Sequence, residues 1–138
     1  MQDAEYQARF GGIARLFSLE GLARLKAARV CVIGVGGVGS WAVEALARSG
    51  VGGLTLIDAD DVCTTNINRQ LPALTETVGQ PKVQVLADRV AAIAPMCSVE
   101  AIPDFYTKSN ADELLSTNFN FVIDAVDRMS TKGTRLFR

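Results

Sequence analysis

The sequence predicts an α/β fold, a mostly parallel sheet with helices on its faces. Three observations carry this. Runs at Val30–Ile33, Leu54–Asp58, Cys97–Ile102 and Phe121–Asp124 have strand length. Most are nearly continuous in apolar residues, as strands buried on both faces are. Segments of helical periodicity separate them, and strands alternating with helices pair in parallel through right-handed crossovers.

Each element follows from its residues. Residues 5–28 read as one or two helices, with a turn at Gly11-Gly12 and with Leu19, Leu22 and Leu25 sharing a face. Val30–Ile33 (VCVI) is the first strand. Val38 to Ser49 places Trp41, Ala42, Ala45 and Leu46 at helical spacing, and Gly50 caps that helix. LTLID, ending at Asp58, is the second strand. Residues 60–78 are polar, irregular and long for a connection, which is often a functional sign. Pro81 opens the next helix from its first turn. Val83, Leu86, Ala87, Val90 and Ile93 form its apolar face, and Pro95 ends it. Cys97–Ile102 alternates as a third strand, residues 110–115 can form a short helix, and FVID is the fourth strand. The chain divides into an N-terminal helical segment (1–28), an α/β domain (29–127) and a basic tail (128–138).

Composition narrows the class. With 138 residues the chain suits one domain with a real core. It is 49% hydrophobic and 21% charged, a globular balance. The net charge of -1 supplies no overall field for nucleic acid or anionic membrane. No apolar run approaches the roughly 18 residues of a membrane span, and MQDAEYQARFGG is no signal peptide. Cys31, Cys63 and Cys97 form no CxxC, and the chain has no histidine, so the usual zinc ligands are missing. Three reduced thiols fit a cytoplasmic protein.

VCVIGVGGVGS is the most informative stretch. Gly34 allows a tight turn, Gly36 a close backbone approach to phosphate, and Gly39 the packing of helix on strand. The helix start that follows offers unpaired N–H groups to an anion. Asp58, about 20 residues on, stands where an acidic side chain accepts from ribose hydroxyls. It also reads as a solvated strand-end carboxylate beside Asp60 and Asp61. Lys82 opposes the dipole of its own helix. As a surface lysine it points into water, and its removal leaves folding nearly intact. With Arg69 it can offset charge that builds up during attack at an α-phosphate. Asp127 suits Mg²⁺, which takes one or two carboxylates plus substrate phosphates, or a helix N-cap. Asp124 lies at the strand end. An NAD-dependent oxidoreductase would use the glycines and Asp58 but leave Arg69 and Lys82 idle.

Taken in order, Gly34 to Ser40, Asp58, Thr65-Asn-Ile-Asn-Arg-Gln70, Gly79-Gln-Pro-Lys82 and Asp124-Ala-Val-Asp127 resemble the adenylation domain of the ubiquitin-activating-enzyme superfamily. That superfamily includes the thiamine and molybdopterin sulfur-carrier activators. Arg9-Phe-Gly-Gly and Asp60-Asp-Val-Cys-Thr-Thr-Asn66 look most like its tRNA threonylcarbamoyladenosine dehydratase branch. The resemblance covers residues 9 to about 132. It implies a Rossmann-like sheet, usually dimeric, binding ATP and Mg²⁺. Gly34, Gly36, Gly37 and Gly39 would meet the nucleotide through backbone, and Asp58 would hold the ribose. Asn66, Arg69 and Lys82 would face the phosphates, with Arg69 and Lys82 catalytic. Asp127 would ligate Mg²⁺. It also implies a tRNA substrate whose carboxyl is adenylated, then attacked intramolecularly to close a ring and release AMP. An activator of a ubiquitin-like sulfur-carrier protein is the alternative, and a non-catalytic nucleotide-binding remnant is a third.

Two departures stand out. Gly11-Gly12 occupies the stretch where the sulfur-carrier activators carry a second arginine, one that reaches into the partner subunit. The family also continues beyond the fourth strand, so the sheet reads as truncated there, with FVID at an exposed edge. The tail RMSTKGTRLFR could touch tRNA phosphates or be a solvated terminus.

Overall fold

The computed structural model describes residues 2–116 and 118–126. The elements run α1 (Gln2–Phe10), α2 (Ala14–Ala27), β1 (Arg29–Ile33), α3 (Gly39–Arg48), β2 (Gly53–Ile57), α4 (Lys82–Ile93), β3 (Ser98–Ile102), α5 (Ala111–Leu114) and β4 (Phe121–Asp124). A 3₁₀ turn at Gly11–Ile13 joins the first two helices. The strand order is β3-β2-β1-β4, and every pair is parallel. The chain therefore builds outward from β1 to β3, then returns to place β4 on the other side of β1. That reversal is the switch point beside which open α/β sheets bind ligands, at the carboxyl ends of the strands. This is the Rossmann-like arrangement the sequence predicts.

Alternation along the strands divides the core in two. Val30 and Val32 of β1, with Leu54 and Leu56 of β2, face Val43 and Ala47 of α3 and Val83, Leu86 and Val90 of α4. Cys31 and Ile33 point to the other face, where Ile57, Tyr106 and Ala111 cover them. In α4 the expected apolar face is the one that packs. In α3 it is not. Trp41 stays 53% exposed, and Gly39, Ser40, Val43 and Ala47 face the sheet instead. Small residues let α3 lie close to β1, whereas an indole on that face would hold it away.

The N-terminal segment packs onto this body. Tyr6, Phe10 and Leu22 cluster with Ala94 beyond the end of α4, and Tyr6 Oη donates to the Gly50 carbonyl at 2.6 Å. Of the expected leucine face, Leu22 is buried, Leu25 is half-buried and Leu19 is 76% exposed. The reason is a break in α2. Ser18 adopts φ 71°, and its Oγ accepts from Gly21 N at 3.2 Å, an N-cap that restarts the helix in a new direction.

Among the described residues β4 has β1 as its one neighbouring strand, and Phe121 is 72% exposed. No helix among the described residues is long and apolar enough to cross a membrane. The three cysteines are free.

Candidate functional site

One cavity of about 420 Å³ opens at the carboxyl ends of the strands. Gly34 follows β1 with φ +86°, and a Cβ there would lie 2.9 Å from the Ala125 carbonyl carbon. Gly34 N donates to Ile57 O at 2.8 Å, which ties the turn to β2. A Cβ on Gly39 would lie 1.7 Å from Gly34 O, so only glycine lets α3 start this close to the strand. Ser40, fully buried, closes the loop. Its Oγ donates to Gly36 O and accepts from Leu71 N at 3.2 Å. Between these anchors the N–H groups of Gly36, Gly37 and Val38 make no hydrogen bond among the described residues, and no side chain caps α3. Unpaired N–H groups at a helix start form an anion site.

Asp58 stands beside the loop rather than in free solvent. Its Oδ2 accepts from Val35 N at 2.9 Å and its Oδ1 from Asp60 N at 2.8 Å. Each oxygen keeps a second lone pair, so the carboxylate braces the glycine turn and still has acceptor capacity toward the cavity.

Arg69 lies over the loop. Its Cγ and Cδ come within 3.7 Å of where a Gly37 Cβ would be. The guanidinium donates to Thr65 O at 3.2 Å and Asn68 Oδ1 at 2.9 Å, and Trp41 Nε1 donates to Arg69 O at 2.9 Å. Lys82 corrects the sequence reading: it is 5% exposed. The chain after β2 folds back along residues 79–82. Asp61 and Pro81 form an antiparallel bridge, and Val62 N donates to Gln80 O at 2.8 Å. That covers the first turn of α4. Lys82 Nζ lines the cavity 4.0 Å from Asp60 Oδ2. Pro81 is the N-cap and Lys82 the first helical residue, one place later than expected.

Gly34, Gly36, Gly37, Asp58, Arg69 and Lys82 thus line one cavity. Gly39 stands behind it and spaces the helix. Asn66 is buried outside the lining, where its Oδ1 accepts from Cys63 N at 2.8 Å and shapes the loop that carries Arg69. Asp127 lies outside the described residues.

Sequence reasoning assigned no role to Gln70, Asp104, Phe105 or Tyr106, which also line the cavity. Gln70 had one signal, its place at the end of the Thr65-Asn-Ile-Asn-Arg-Gln70 motif. The loop after β3 carried none. Cys63 stays exposed near this region, and the Thr65 hydroxyl donating to its sulfur at 3.4 Å lowers its pKa below the usual thiol value. Among the described residues no three His, Cys, Asp or Glu side chains converge as a metal site.

The family model described as the ThiF family matches residues 11–134. The chain belongs to the ThiF family. As a ThiF-family chain it is 55% identical to the tRNA threonylcarbamoyladenosine dehydratase of Haemophilus influenzae, over 94% of its own length and 49% of that protein. It is 40% identical to the sulfur carrier protein adenylyltransferase of Thermus thermophilus, over 82% of the chain and 41% of that protein. The crystal structure of the E. coli tRNA N6-threonylcarbamoyladenosine dehydratase in complex with ATP superposes with a TM-score of 0.90 at 48% identity. It covers 93% of this chain and 53% of that one. The chain spans about half the length of the curated relatives it matches.

Proposed function

We propose that this chain is the ATP-binding half of an adenylating enzyme that activates the carboxyl of N6-threonylcarbamoyladenosine in tRNA. The observation that carries it is that Arg69 and Lys82 line the same cavity as Gly36, Gly37 and Val38, whose N–H groups are unpaired among the described residues. Two cations and an anion nest suit a triphosphate better than the two bridging phosphates of NAD. The H. influenzae and E. coli relatives support the tRNA substrate, and the ATP complex of the E. coli protein supports the nucleotide.

In this reading the glycine-loop N–H groups hold the phosphates, and Asp58 accepts from the ribose. A substrate carboxylate oxygen attacks the α-phosphorus, and the bond to the β-phosphate oxygen breaks. Arg69 and Lys82 offset the charge on the phosphoryl oxygens and on departing pyrophosphate. An internal nucleophile of the threonylcarbamoyl group then displaces AMP and closes the ring. Mg²⁺ held by Asp127 and the phosphates would share that charge, in keeping with how this ion binds nucleotides. A homodimer in the cytoplasm completes the proposal.

The T. thermophilus relative favours a second reading, adenylation of a sulfur-carrier protein's C-terminus. Calorimetric titration with ATP and Mg²⁺, with NAD in parallel, tests the common part. Assays of AMP release with threonylcarbamoylated tRNA and with a carrier protein then separate the substrates. ATP binding with AMP release on tRNA is the expected result. Binding of NAD alone would overturn the adenylation reading.

A further inference from the structure

Gln70 is 8% exposed, yet its Oε1 is buried without a hydrogen-bond partner among the described residues. Its Nε2 likewise makes no hydrogen bond among the described residues, so the donor end of this largely buried amide is left for a ligand to meet. The carboxamide lies over the glycine loop. Its Nε2 is 3.3 Å from where a Gly36 Cβ would be, and the residue lines the cavity. The absence of a side chain at Gly36 therefore makes room for Gln70 as well as for a ligand.

We propose that Gln70 is a phosphate-reading residue of this cavity, its Nε2 donating to a polyphosphate oxygen above Gly36. This rests on the nucleotide reading given above. With no donor holding Oε1, half a turn of the terminal torsion exchanges the two ends of the amide. An anion over Gly36 selects the orientation with Nε2 outward, because phosphate oxygens accept and do not donate. Gln70 then adds a directional, uncharged donor between Arg69 and the unpaired N–H groups of Gly36 and Gly37. Its neighbours hold the loop in place. Ser40 links Leu71 to Gly36, and Trp41 holds the Arg69 carbonyl.

The test is calorimetric titration of the 138-residue chain with ATP, AMP and adenosine, for the parent, Gln70→Ala and Gln70→Glu. Gln70→Ala should weaken ATP about tenfold, the size of one hydrogen bond to a charged group, and leave adenosine within about twofold. Gln70→Glu keeps the length and branching of the side chain. It should weaken ATP further by repulsion, and added salt should reduce that extra loss. Equal losses for ATP and adenosine would show that Gln70 only shapes the pocket and would overturn the proposal. So would an unchanged ATP affinity in both variants. If Gln70→Ala does not fold, the ratio of ATP to adenosine affinity in Gln70→Glu decides alone. A parent that binds no nucleotide removes the nucleotide reading and this inference with it. A parent that binds ATP beside unaffected variants removes only the inference.

Discussion

Replacing Lys82 separates its packing from its charge. Lys82→Ala deletes three methylenes and the ammonium from a side chain that is 5% exposed. At about 0.8 kcal/mol per buried methylene the stem is worth about 2.4 kcal/mol. Part of that returns, because an ammonium whose carboxylate partner is 4.0 Å away no longer has to be desolvated. The net loss should be about 1–2 kcal/mol. Lys82→Met keeps an unbranched stem and removes the charge, so it should lie within about 0.5 kcal/mol of the parent. Urea unfolding should therefore rank Lys82→Met near the parent and Lys82→Ala below both. In thermal scans the alanine variant should melt about 5 °C lower. On the proposed function, both variants should weaken ATP together, by about tenfold or more, since both lose the cation proposed to face the phosphates. The reasoning fails if Lys82→Met loses as much stability as Lys82→Ala, because the ammonium rather than the stem would then anchor the residue.

Two further outcomes follow from the geometry. Gly39→Ala should cost about 3 kcal/mol or more, because its Cβ would meet a backbone oxygen that cannot swing away. Gly12→Ala, with no atom within 4 Å of its Cβ, should be nearly neutral; equal urea midpoints for the two would refute the packing argument. Glu44, between Arg89 and Arg48, has its carboxyl lowered from 4.5 to about 2, chiefly by its bond to Arg89. Its folded pKa lies below the unfolded value, so the pair stabilises fully above about pH 4.5 and is lost as pH falls toward 2. Both arginines are largely exposed, so solvent screening holds the contribution to about 1 kcal/mol. Glu44→Gln should show that deficit near neutral pH and converge with the parent in acid; a constant gap across pH would contradict the assignment.

The sequence made the strands and the glycine turn legible because both rest on local chemistry. Apolar runs of strand length need no partner to be recognised, and Gly34 and Asp58 lie a short, regular distance apart across one crossover. What stayed hidden depends on folds-back that no local pattern announces. Lys82 looked exposed because its neighbours in sequence are Pro81 and Gln80. It is buried because residues 60–62 return to pair with them. Gln70 was visible as a letter, but its meaning comes from Gly36, which lies far from it along the chain. Trp41 read as part of a packing face because it is apolar. The sheet chose the smaller residues of α3, since close approach to β1 outweighs burying an indole.

Leaving Trp41 half outside gives the molecule an optical reporter. It is the single tryptophan of the chain, so all indole emission originates at one point. That point is joined by its Nε1 to the carbonyl of Arg69, a residue that lines the cavity. Emission wavelength and quenching by iodide depend on the solvent around the ring, and the ring is fastened to the loop that carries the cation. Any ligand that draws Arg69 inward moves the backbone to which the indole is bonded. Rapid-mixing fluorescence can therefore report any ligand-linked shift of this loop in the unlabelled chain.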